Sequence, residues 1–269
     1  MDLGAEPARL HYDVRERDET GSTNEDLLAL ARAGASEGVV ISTGHQTGGR
    51  GRRGRTWVAA AGSSLLASVL LRPVLLRPAL APDSAHLVTM AAALAAVDAC
   101  AGVAGTRPAL KWPNDLVVEP EGDEQEGGGS AKLAGLLADA LVSGDRLEAV
   151  VVGMGLNLTQ EAADAFPGSV CLEALAGRSV DRQGLLAAWL GHLDRWYGGL
   201  GADAGRRAVL TAYRRQCATV GREVRVELAD RVLSGLATGV DGRGRLLVES
   251  GSGRTAVDAG EVVHLRPTG

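Results

Sequence analysis

Aromatic residues, lysine and cysteine are all scarce in this sequence, and each scarcity excludes something. Only four Trp, three Tyr and one Phe occur in 269 residues that are 45% hydrophobic. The core must therefore be packed with Ala, Val and Leu, and a Trp in a polar segment, such as Trp57 or Trp112, needs a reason. Three cysteines, Cys100, Cys171 and Cys217, lie far apart without His or Cys at ligand spacing, which excludes a disulfide framework and a zinc site. No apolar run looks long enough to span a membrane, because Arg72, Pro73, Arg77 and Pro78 interrupt one and another stops near Val97. The formal net charge of −5 excludes a generally basic nucleic-acid binder. The first twenty residues carry mixed charge and no apolar block, so no secretory leader is expected and the expected location is the cytoplasm.

What is present reads as alternating strands and helices. Residues 11–20 alternate weakly, and GSTNEDLLALARAG is a capped amphipathic helix stopped by Gly34. GVVISTGHQT is a buried strand, and WVAAAGSSLLASVLLRP reads as two strands meeting at Gly62. Ser84 to Gly102 form an Ala-rich core helix, and Pro113 makes LKWPNDLVVE a strand, a turn and a strand. The acidic, glycine-rich GDEQEGGGS is a hairpin tip, followed by two long strands up to Thr159. Helices at 181–200 and 203–217 close this unit. From Gly221 the texture changes to short strands separated by glycine turns, REVRVEL, VLSGLATGV, GRLLVES, RTAVD and EVVHLRP, which predicts a small all-β barrel. The expected division is 1–219 and 220–269.

Chemistry concentrates in a few segments. Gly49-Arg50-Gly51-Arg52-Arg53-Gly54-Arg55 packs four arginines into a flexible backbone, follows a buried strand and leads to Trp57. Guanidinium forks bind phosphate or carboxylate, and glycines let main-chain N–H groups approach an anion. Four adjacent arginines should repel one another and keep the loop mobile until an anion arrives. The segment also matches G-x-G-x-x-G, but strand-like residues follow it and the next acid is Asp83, so a dinucleotide fingerprint is rejected. Ser22-Thr23-Asn24-Glu25 fits a capping box in which Ser22 caps and Glu25 reaches back. Lys111-Trp112-Pro113-Asn114-Asp115 gathers a cation, an aromatic, an amide and a carboxylate in one turn, although Asn and Asp at turns often serve local hydrogen bonds. Of the 28 basic residues only Lys111 and Lys132 are lysine, so an ammonium is kept where a compact point charge is needed. Gly153 and Gly155 lie on one side of a strand and make room for a ligand or a neighbouring backbone.

In order, Ser22-Thr23-Asn24, Gln46, GRGRRGR with Trp57, KWPNDL, KLAGLL and GMGLNL resemble the biotin protein ligases, the holocarboxylase synthetase family. The resemblance implies an α/β (α+β) mixed sheet with flanking helices, a core like that of class II aminoacyl-tRNA synthetases, and an SH3-like C-terminal barrel. It implies that biotin and Mg-ATP form biotinyl-AMP, from which biotin passes to a lysine of the biotin carboxyl carrier domain of acyl-CoA carboxylases. It assigns Arg52 and Lys132 to catalysis. Ser22, Thr23, Asn24, Gln46, Arg50, Gly51, Arg52, Lys132, Gly135, Gly153 and Gly155 would hold biotin. Arg52, Arg53, Arg55, Trp57, Lys111, Asn114 and Asn157 would hold the nucleotide, and Asp115 the Mg2+. Only 21 residues precede the Ser-Thr-Asn motif, so sequence-specific DNA binding is not expected, nor is membrane association; a monomer or weak homodimer is. Two other readings stand beside this one: a lipoate or octanoyl ligase, and a non-catalytic nucleic-acid module using the arginine loop.

Overall fold

The structure is a computed structural model that describes residues 10–76, 78–119, 129–228, 231–251, 253–258 and 260–265. Seven strands form the main sheet: β1 (Asp13–Thr20), β2 (Val39–Gln46), β3 (Ser64–Leu71), β4 (Ala109–Lys111), β5 (Asp115–Val118), β6 (Ala131–Ser143) and β7 (Arg146–Asn157). Their order is β1-β2-β3-β7-β6-β5-β4. Only β1 and β2 run parallel; every other neighbouring pair is antiparallel. The fold is thus a mixed α/β sheet with helices on both faces.

Sequence texture explains who covers what. The inner strand β3, SLLASVLL, is buried along its whole length because both of its faces are covered. On one face α1 (Thr23–Arg32) sets Leu27, Leu28 and Ala31 against Ile41, Leu70 and Val151. The other face carries α2 (His86–Ala104), packed against α5 (Arg182–Gly198) and α6 (Asp203–Gln216). Pro82–Ala104, with mean hydropathy 1.9, is in fact long and apolar enough to cross a membrane, contrary to the sequence expectation; 67% of its most apolar window is buried inside the protein, as a core helix would be. Gly105 stops it in the left-handed conformation at φ 71°.

The scarce aromatics are mostly used to fix helices. Trp189 Nε1 donates to the Ala92 carbonyl at 3.0 Å and Trp196 Nε1 to Asp98 at 2.9 Å, tying α5 to α2. Tyr12, Tyr197 and Tyr213 each donate a phenolic hydrogen bond to a distant part of the chain.

Two further expectations need correction. Residues 57–63 form no strand: after the isolated bridge of Thr56 with Arg50 the chain turns at Gly62 (φ 78°), and only Ser64–Leu71 pairs. Ser22 is the N-cap of α1 but its side chain makes no capping hydrogen bond, and Glu25 reaches Arg50 at 3.1 Å instead of back to the cap. Two short helices, α3 (Gln160–Asp164) and α4 (Leu172–Ala176), occupy a stretch too brief to show helical periodicity. The expected hairpin tip falls mostly in 120–128, outside the described residues.

The C-terminal segment forms β8 (Glu223–Glu227), β9 (Val232–Val240), β10 (Leu246–Ser250), β11 (Gly253–Val257) and β12 (Glu261–His264), an antiparallel sheet in the order β11-β10-β9-β8-β12. It meets the main sheet at the KWPND turn. Ala218 N donates to the Leu110 carbonyl at 2.8 Å, Trp112 N to Thr219 Oγ1 at 3.0 Å, and Trp112 Nε1 to the Gly244 carbonyl at 2.9 Å. Trp112 is thereby explained: it is a buried anchor between the two units.

Candidate active site

A cavity of about 320 Å³ opens where the arginine loop, the KWPND turn and the glycine-bearing ends of β6 and β7 converge. Ser22, Thr23, Asn24, Gln46, Arg50, Gly51, Arg52, Arg53, Arg55, Trp57, Lys111, Asn114, Asp115, Lys132, Gly135, Gly153, Gly155 and Asn157 all line it. Segments dispersed over more than 130 positions of sequence are brought to one place. The motifs gave no sign of Phe166, Pro167 and Ser169, which follow α3, or of Gly260, Glu261 and Val262, which come from the C-terminal sheet. Their only available signal was an aromatic, Phe166, in a chain that has one phenylalanine.

The cavity has two chemically distinct ends. One is uncharged and heavily hydrogen-bonded. Thr23 N and Thr23 Oγ1 reach Gln46 Oε1 at 2.8 and 3.1 Å, and Thr23 Oγ1 lies 2.7 Å from Ser68 Oγ. Asn24 is buried beside them and fits only because residue 153 is glycine: a Cβ there would stand 2.1 Å from Asn24 Oδ1.

The other end is cationic. Six basic side chains and two carboxylates, Asp115 and Glu261, are on the wall of a protein whose net charge is negative. Each of the four loop arginines has its own acceptor, although Arg53 and Arg55 still repel Arg52 and, beside burial, help to lower its pKa. Arg50 pairs with Glu25, Arg52 Nη1 donates to Asn114 Oδ1 at 3.2 Å, Arg53 Nη1 donates to the Glu227 carbonyl at 2.7 Å, and Arg55 pairs with Glu261. Asn114 is itself fixed by donating to the Leu136 carbonyl at 2.7 Å. Burial lowers the pKa of Arg52, with Asp115 opposing that shift. Burial likewise lowers that of Lys111; Asp115 pulls it back up and the neighbouring Lys132 pushes it down. Lys132 Nζ stands 2.8 Å from Asp115 Oδ1, off hydrogen-bond alignment, and 5.5 Å from the Trp57 ring centroid. Cations held partly out of water interact strongly with an arriving anion.

Trp57 links the two ends. Gly135 and Gly155 face each other across the β6–β7 ladder, and the indole lies on both: a Cβ at Gly155 would meet the ring at 2.5 Å and one at Gly135 at 3.2 Å. The room these glycines make is filled here by the protein's own indole, whose Nε1 is buried without a partner. Phe166 leans on it at a centroid distance of 6.5 Å.

The sequence of this cavity-bearing region, residues 19–157, matches the Biotin/lipoate A/B protein ligase family, and residues 219–265 match the Biotin protein ligase C terminal domain. The chain belongs to this family. It is 37% identical over 260 residues to a biotin–[acetyl-CoA-carboxylase] ligase of Mycobacterium tuberculosis, covering 92% of this chain and 87% of that one. It is 32% identical to a ligase of the same name from Paracoccus denitrificans, covering 90% and 97%. Among solved structures, a biotin protein ligase from Aquifex aeolicus in complex with biotin and ATP superimposes with a TM-score of 0.74 at 22% identity, covering 94% of this chain and 99% of that one. That likeness concerns the fold.

Proposed function

We infer that this protein is a biotin–protein ligase: it joins biotin to ATP as biotinyl-AMP and then transfers the biotinyl group to a lysine of an acyl-CoA carboxylase's biotin carboxyl carrier domain. The observation that carries the reading is the division of one cavity into an uncharged, hydrogen-bonding end and an end with six cations. A cyclic urea fits the first, and a carboxylate meeting a triphosphate fits the second. The names of the relatives at 37% and 32% identity support the same activity.

The chemistry follows from the charges. A carboxylate is too stable to acylate an amine, so one of its oxygens attacks the α-phosphorus of ATP, the bond from that phosphorus to the bridging oxygen breaks, and pyrophosphate leaves. The lysine amine then attacks the acyl carbon and AMP leaves. Both reactants of the first step are anions, so the protein's task is to neutralise and orient them and to exclude water. Ser22, Thr23, Asn24, Gln46 and the Arg50–Gly51 main chain hold biotin, and the strip of Gly135, Gly153 and Gly155 contributes through the Trp57 and Asn24 side chains that pack on these glycines. Arg52 and Lys132 meet where carboxylate and α-phosphate join, positioned by Asn114 and Asp115 respectively. Arg53, Arg55 and Lys111 face the remaining phosphates, and Asn157 and Trp57 the adenosine. Among the described residues no three His, Cys, Asp or Glu side chains are grouped as metal ligands. A Mg2+ arriving on the phosphates needs only one or two protein carboxylates, and Asp115 fits that part. We further assign residues 1–219 to a core of the class II aminoacyl-tRNA synthetase type and 220–269 to an SH3-like barrel.

The test is biotin-dependent exchange between ATP and labelled pyrophosphate, followed by transfer to a purified carrier domain. Exchange driven by lipoate and not by biotin would overturn the reading, as would salt-sensitive polynucleotide binding without any exchange.

A further inference from the structure

A carboxylate outside the cavity lining is hydrogen-bonded to a residue of its uncharged end. Asp139 lies on β6, two residues beyond Leu137 on the same face of the strand. Asn24 Nδ2 donates to Asp139 Oδ2 at 2.9 Å and to the Leu137 carbonyl at 3.2 Å. A carboxylate and a carbonyl can only accept, so the Asn24 amide nitrogen must face them and its oxygen must face the other way. That oxygen is 2.6 Å from Ser68 Oγ, which places the one Ser68 hydroxyl proton there. Thr23 Oγ1, 2.7 Å from Ser68 Oγ, must then be the donor of that contact, its alternative acceptor being Gln46 Oε1 at 3.1 Å. Either way the Thr23 proton is directed into the protein, and its oxygen has only lone pairs left for a ligand.

Gln46 completes the pattern. Its Oε1 accepts from Thr23 N at 2.8 Å, so its amide nitrogen faces away, toward Gly49, where it lies 3.2 Å from the position of a Cβ. The wall therefore offers an acceptor, Thr23 Oγ1, next to a donor, Gln46 Nε2.

We propose that Asp139 is a specificity-determining positioning residue: through Asn24 and Ser68 it fixes Thr23 as an acceptor, and so selects a carboxylate substrate whose ring carries an N–H beside a carbonyl over one whose ring has neither. A cyclic urea satisfies both partners, whereas a dithiolane leaves both unpaired, and an unpaired buried polar group is penalised strongly. This rests on the assignment of Thr23 and Gln46 to the biotin ring.

The experiment is a double-mutant cycle read by biotin-dependent ATP–pyrophosphate exchange. Asp139→Ala is expected to raise the KM for biotin about fivefold, with kcat and the KM for ATP within about twofold, the size of one lost hydrogen bond felt indirectly. Asp139→Asn, which can still turn an oxygen to Asn24, is expected to restore the KM. In a Thr23→Val background Asp139→Ala is expected to add almost nothing, since the chain no longer ends at the ligand. Ser68→Ala cuts the chain at its middle, gives the same rise in KM, and serves if Asp139→Ala fails to fold. Equal effects of Asp139→Ala with and without the Thr23 hydroxyl, or a biotin KM unmoved by Asp139→Ala while Thr23→Val raises it, would overturn the proposal alone. An unmoved KM in Thr23→Val would overturn the placement of biotin at Thr23, and this proposal with it.

Discussion

Lys132 shows what a single side chain is asked to do. Its ammonium sits 2.8 Å from Asp115 and 3.2 Å from the position a Cβ would take on Gly135, beneath the Trp57 ring. A planar guanidinium is broader than that space, and its charge would lie farther along the side chain. Lys132→Arg is therefore expected to lower the exchange rate about a hundredfold although the net charge is kept, a typical loss for a displaced electrostatic group. Equal rates for the two proteins would remove Lys132 from the first step. The restriction of lysine to positions 111 and 132 pointed to this residue from sequence alone, because an otherwise arginine-rich chain must have a reason for each ammonium. Asp139 and Ser68 carried no such mark. One looks like an ordinary strand-edge acid and the other like a small residue in an apolar strand, and their importance lies in distances that only folding creates.

Among the elements, β7 illustrates how a motif can be noticed for the right residues and explained by different neighbours. Gly153 and Gly155 announced close approach, and the sequence could not say of what. In the fold the approaching groups are the Asn24 amide and the Trp57 indole. Gly153→Ala is expected to destabilise the protein by about 1–3 kcal/mol, as overpacking does, and to raise the biotin KM, because Asn24 must move off Ser68. Urea unfolding and exchange kinetics on the same preparation would test both effects, and an unchanged midpoint with an unchanged KM would show that Asn24 can yield without consequence. Long periodic elements were legible: β6, β7, α2, α5, α6 and all five C-terminal strands lie where hydrophobic spacing put them. The misread piece, 57–63, failed because WVAAAG has apolar composition without a ladder partner. Its tryptophan turns into the cavity and Gly62 N donates instead to the Gly44 carbonyl at 2.8 Å.

For the molecule as a whole, the junction between the two sheets also carries a pH dependence. His264 Nε2 meets Thr219 Oγ1 at 3.1 Å, and burial, with Lys111 and Arg222 nearby, lowers its pKa from 6.5 to about 4. The unfolded chain then binds more protons than the folded one between those values. His264 thus contributes stability that is complete above about pH 6.5 and is lost as pH falls toward 4. His264→Gln is expected to flatten the fall in melting temperature over this window, and the same slope in both proteins would assign it elsewhere. The same junction clamps the turn that bears Asn114 and Asp115, with Trp112 bonded to Thr219 and Gly244, while Arg53 and Arg55 reach across to Glu227 and Glu261. Ligand affinity and the folding of the C-terminal sheet are therefore thermodynamically linked, and linkage is reciprocal. Whatever tightens the nucleotide end is expected to slow hydrogen exchange in β8 and β12, tens of residues away in sequence from any phosphate contact, and a substitution that leaves those strands partly unfolded is expected to weaken nucleotide binding in proportion to the fraction unfolded.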